Sequence, residues 1–201
     1  MKIGPFNTSK KELIDIFKAW IVISIAFSLI FGTSPLSNYI SAFIISLLTV
    51  GLGFLLHELA HKLMAQHYGC YAEFRSFDSM LVIALVFAFF FGIVFAAPGA
   101  VMISGPVGKS RNGKISMAGP LMNLILAAIF LLNFIFLPIP FLKTLFGLGF
   151  LINTWLALFN MIPVWNFDGK KILNWNKLIY ALMVAIGFVF FFTASSLGIS
   201  F

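Results

Sequence analysis

The chain has 201 residues, 61% of them hydrophobic and 9% charged, with a mean hydropathy of +1.07. Soluble domains carry roughly a quarter charged residues, so a water-soluble fold is excluded. The net charge of +7 resides at the ends of apolar runs rather than in a basic patch, which excludes nucleic acid as a partner and points to a lipid bilayer.

Runs without Asp, Glu, Lys or Arg cover Ala19 to His57, Ser79 to Gly108, Ile115 to Leu142, Thr144 to Phe167 and Leu178 to Phe201. Each exceeds the roughly 20 residues that a helix needs to cross a hydrocarbon core. The first run breaks at Gly32-Thr33-Ser34-Pro35, a cluster of turn formers. Helix one is therefore expected over about Ala19–Phe31, with an amphipathic lead-in from Lys11 and no cleavable signal peptide. Helix two is expected over about Tyr39–Gln66, stopping before Gly69.

Ser79–Ala97 is barely long enough to span: it either crosses, which puts Pro98–Ser116 on the opposite face from Arg75, or enters and returns on the same face, the layout preferred here. Gly105-Pro106-Val107-Gly108 and Arg111-Asn112-Gly113-Lys114 read as turns, the second resembling a hairpin signal. Further helices are expected over about Met117–Leu137, Thr144–Ile162 and Lys177–Leu197. The fold class is thus an all-α polytopic membrane protein of five to six transmembrane helices. Its re-entrant or β-hairpin segment lies between helix two and the next core helix. The whole chain, 1–201, is expected to be one membrane domain with its core over about 39–170 and no separate soluble domain.

In the re-entrant layout every basic residue except Lys143 falls on one side, which the positive-inside rule makes cytoplasmic. Non-helical backbone at that depth is tolerated only where protein or a water-filled cavity covers it.

His57-Glu58-Leu59-Ala60-His61 is an H-E-x-x-H motif, and it uses two of the three histidines of the chain and one of its six acids. On a helix, residues i and i+4 share a face, so His57 and His61 can offer two imidazoles to one metal ion. Glu58 then projects beside the position where a water would be activated, as a general base requires. Two His and one carboxylate favour zinc over harder ions.

The third ligand must come from a short roster. Glu12 and Asp15 precede the first span, Glu73 and Asp78 read as loop residues, and His67 lies beyond the expected helix end. Asp168 follows Pro163 and precedes Gly169, which permits a tight turn, and it is favoured. Depth agrees: His57 lies about 25 Å along helix two, in the cytoplasmic half, where Asp168 also emerges.

Three elements resemble the site-2 protease family of intramembrane zinc metalloproteases (peptidase family M50), in its compact archaeal and bacterial form. They are His57–His61, the Gly119-Pro120-Leu121-Met122-Asn123 element, and Asn160 to Gly169, similar to an N-x-x-P-x-x-x-x-D-G element. The resemblance implies that His57, His61 and Asp168 bind one zinc ion, that Glu58 is the general base, and that Asn160 holds the substrate or its oxyanion. It implies a transmembrane protein as substrate, cut within or near its helix, and an extended substrate strand bound by the segment before Gly119. Lys170 stands where family members often carry a second glycine. Two other readings share the motif: a zinc-binding membrane protein or transporter, and an inactive relative that binds partners without cutting them.

Overall fold

A computed structural model describes residues 2–3, 6–32, 36–94, 98–137 and 139–200. A short antiparallel pair, β1 (Lys2–Ile3) and β2 (Phe6–Asn7), leads into α1 (Lys10–Phe31). Ser9 caps α1 by accepting the Glu12 N–H at 3.1 Å, so the amphipathic lead-in and the first span form a single helix. Next come α2 (Leu36–Ser46), a π-helical turn (Leu47–Gly51) and α3 (Leu52–His67), which carries the H-E-x-x-H motif. The Leu47 carbonyl accepts the Leu52 N–H of the widened turn and also the Trp20 indole N–H, the latter at 3.1 Å.

β3 (Tyr71–Ser76) pairs antiparallel with β4 (Gly99–Ser104), in a register running from Tyr71 opposite Ser104 to Ser76 opposite Gly99. Between them lies α4 (Asp78–Phe91). Its 14 residues extend about 21 Å, short of the ~30 Å of a hydrocarbon core. The chain leaves the sheet at Ser76 and is back beside it at Gly99. The two strands are not a tight hairpin, and with β1 and β2 they add a small β component to the expected all-α class.

α5 (Lys109–Phe136), α6 (Pro140–Asn160), α7 (Asp168–Trp175) and α8 (Lys177–Ser196) complete the chain. α5 begins eight residues before the expected Met117 and absorbs the supposed turn at Arg111–Lys114. Packing explains the difference, since Gly113 lies directly against Trp175 of α7 and local turn propensity yields to that contact. Among the described residues, five helical stretches are long and apolar enough to cross a membrane: Lys10–Phe31, Asn38–His67, Lys109–Phe136, Pro140–Asn160 and Lys177–Ser196. The protein is a multi-pass membrane protein.

α5 is the hub, packed against α3, α6 and α7. Leu124, Ala157, Met161, Ile172 and Met183 join α5, α6, α7 and α8 in one apolar cluster. Ala65, Cys70, Ala72 and Ile115 join the end of α3 to the sheet and to α5 in another, which gives Cys70 a packing role. Large apolar side chains such as Phe90 and Phe136 point outward, 71% and 72% exposed, as a lipid-facing surface requires.

Candidate metal centre

His57 and His61 stand one turn apart on α3 and are buried. Their Nε2 atoms lie 3.0 Å apart. Asp168, the first residue of α7, places Oδ2 at 2.9 Å from His61 Nε2 and 3.5 Å from His57 Nε2. A tetrahedral ion with ligands at about 2.0–2.1 Å would space them by ~3.3 Å. The three side chains therefore form one face of such a polyhedron, and they meet as the sequence predicts. His67 does not join them: it lies exposed at the end of α3, its ring against Tyr68.

The hydrogen bonds behind the imidazoles fix their protonation. His61 Nδ1 faces the Ile115 carbonyl at 2.8 Å, and a carbonyl only accepts, so the proton is on Nδ1. His57 Nδ1 faces Asn123 Oδ1 at 2.6 Å. That amide cannot flip, because Asn123 Nδ2 donates to the Gly53 carbonyl at 3.1 Å and to Asn153 Oδ1 at 3.0 Å. Asn153 is held in turn by donating to the Gly149 carbonyl at 2.9 Å. Both Nε2 atoms thus present lone pairs toward each other and toward a carboxylate. With the proton on Nδ1 of each ring, the two Nε2 atoms and Asp168 Oδ2 can offer their lone pairs to one cation.

Space for that cation comes from α5. A Cβ on Gly119 would fall 2.3 Å from His61 Nε2 and 2.6 Å from His57 Nε2. The next residue, Pro120, has no N–H for the helix ladder. α5 is therefore narrowest where the imidazole edges face it, and the donor set and the room beside it both fit zinc.

Asp168 arrives by close packing. Gly169 is helical, and a Cβ there would lie 2.1 Å from the Met161 carbonyl oxygen. Close approach between α7 and the end of α6, rather than the expected tight turn, is what this glycine permits. As the first residue of α7, Asp168 also meets the positive end of the helix dipole.

Glu58 does not join the three ligands. Its Oε2 accepts the Val101 N–H of β4 at 2.9 Å, which ties the carboxylate to the sheet. Asn160 lies at the end of α6, where its Nδ2 donates to the Leu156 carbonyl at 2.9 Å. Asn123 and Asn153 were not assigned roles from the sequence. The available signal was an uncharged polar residue inside each of two apolar spans, where an amide needs a partner.

No family profile and no solved structure matches the chain. A Methanocaldococcus jannaschii protein named "Putative zinc metalloprotease" is 43% identical to it over 180 residues, covering 89% of this chain and 91% of that one. With a buried two-histidine, one-carboxylate centre and this degree of likeness along nearly its whole length, the chain belongs to the zinc metalloprotease family of that archaeal protein.

Proposed function

We propose that the protein is an intramembrane endopeptidase of the site-2 protease type, hydrolysing peptide bonds within or near transmembrane helices of membrane-protein substrates. One observation carries this reading: the ligands His57 and His61 and the carboxylate Glu58 all lie on a 30-residue stretch apolar enough to cross a membrane. A centre built there meets substrates that share the bilayer.

His57, His61 and Asp168 would hold zinc, which would supply a Lewis acid for a scissile carbonyl and for a water. Glu58 takes the proton from that water at its carboxylate and passes it to the leaving amine. Asn123 and the Ile115 carbonyl hold the imidazoles in the tautomer that leaves Nε2 free to bind. Asn160 reaches the substrate oxyanion after giving up its bond to Leu156.

The return of the chain from Ser76 to Gly99 supports a re-entrant segment with both its ends on one side. With the charge bias this supports a site toward the cytoplasmic face of the cell membrane. A substrate strand would then add along the outer edge of β4, the edge that already meets Glu58 through Val101.

Reconstitution with a zinc-loaded chain and a single-span test substrate examines the reading directly. Glu58→Gln is expected to retain one zinc per chain by elemental analysis while cleavage falls by roughly 10²–10⁴-fold. Wild-type turnover in that variant would remove Glu58 from its role. A wild-type chain that cuts nothing, yet moves zinc across the bilayer in a His57-dependent way, would replace proteolysis with transport.

A further inference from the structure

Glu58 and Lys62 stand one turn apart on α3, and a closed ring of contacts returns from one to the other through two other parts of the molecule. Lys62 Nζ donates to both carboxylate oxygens of Glu12 at 2.6 Å, a pair almost fully removed from solvent. Glu12 Oε1 also accepts the Phe74 N–H of β3 at 2.8 Å. Phe74 lies opposite Val101 in the strand register. The Val101 N–H points away from β3 and donates to Glu58 Oε2 at 2.9 Å. The two strands are thus slung between two carboxylates, Glu12 at one outer edge and Glu58 at the other.

We propose that Glu12 and Lys62 are positioning residues for Glu58, setting its carboxylate through β3 and β4. This rests on the proteolytic reading for its effect on turnover, though not for its effect on the sheet. A carboxylate at the end of a flexible side chain has several rotamers, and only one aims it at the water beside the metal ligands. The Val101 N–H selects that rotamer only while β4 keeps its place. β4 takes its place from β3, and the outer edge of β3 is pinned to α1 by Glu12. Lys62 completes the circuit by fixing Glu12 to the helix that carries Glu58. A displacement of α1 relative to α3 would therefore reach Glu58 without touching the metal ligands.

The test uses the full chain in detergent micelles and the double variant Glu12→Gln with Lys62→Met. This pair removes both buried charges together and leaves no unpaired ion. Backbone amide exchange, read by mass spectrometry on zinc-free protein, is expected to rise about tenfold over residues 99–104 and to stay unchanged in the middle of α5 and α6. In zinc-loaded protein kcat is expected to fall about tenfold at constant KM and constant zinc content. Unchanged exchange over 99–104, or a rise spread equally over α5 and α6, overturns the proposal, as does wild-type kcat with a loosened β4. If the double variant does not accumulate, Glu12→Asp keeps the charge, shortens its reach, and is judged on the same two readings. A wild-type chain that cleaves no substrate sinks the proteolytic reading, while the exchange measurement still decides the ring.

Discussion

The six acids of the chain divide between two clusters, buried or partly buried except for the exposed Asp78, that obey opposite rules. In the metal centre, Asp168 faces two imidazole lone pairs, and Glu58 stands beside them with one backbone N–H. At the start of α1 each carboxylate has its donors. Glu12 takes Lys62 and the Phe74 N–H. Asp15 takes the Ser76 hydroxyl, with Arg75 nearby. Glu73 takes the Ser9 and Tyr71 hydroxyls and Arg75, and Asp78 takes Lys18. The first set is arranged to share a cation, whereas acceptors matched by donors hold the chain together without one. Burial does not distinguish a functional acid from a structural one here; the chemistry of its neighbours does.

That contrast can be broken most sharply at Gly119. Gly119→Ala sets a methyl against both Nε2 atoms, and zinc is expected to be lost outright, to well under one ion per chain by elemental analysis, with cleavage lost as well. Retained zinc would show that the centre does not depend on the narrow face of α5. In the donor-matched cluster, Lys62→Met leaves the Glu12 charge buried without its cation and is expected to destabilise the fold by about 3 kcal/mol in denaturant titration. A smaller loss than that of a surface substitution would mean water already reaches Glu12.

Asn123→Ala takes away the acceptor that sets His57 and is expected to weaken zinc binding by about 10–100-fold in competition with a chelator. The mildest change concerns pH. The Ser9 and Tyr71 hydroxyls, with Arg75 beside them, hold the Glu73 carboxyl below its ordinary range. Its contribution to stability is therefore complete above the ordinary carboxylate pKa of about 4.3 and lost as pH falls through the depressed value. Glu73→Gln is expected to lower the melting temperature slightly at neutral pH and to leave it little changed near pH 3. An equal loss at both pH values would break that assignment.

Much of this was legible in the sequence because lipid simplifies the code. Uncharged runs reported where the spans lie, though α1 and α5 begin eight or nine residues earlier than expected, and the scarcity of histidines and acids made Asp168 stand out as the partner of His57 and His61. What escaped was set by packing across elements. Glu12, Asp15 and Glu73 read as residues before a span or in a loop, yet they are buried, since their partners lie about 50 to 60 residues away in sequence. Arg111–Lys114 read as a turn and is helical because α7 supports it. Gly169 read as a turn residue, and its service is closeness to Met161. The Gly119-Pro120-x-x-Asn123 element was visible as a resemblance, but its physical meaning was not: one position clears a space and another orients a ring.

The bare position on α5 also supplies a criterion for reading other chains. Two histidines and a glutamate at the right spacing say that ligands exist, not that there is anywhere for an ion to sit. A relative that aligns along its length, keeps H-E-x-x-H and its distal aspartate, but carries any side chain at the counterpart of Gly119 should be sorted with the proteins that have lost the metal. A search by the motif alone would count it as an enzyme.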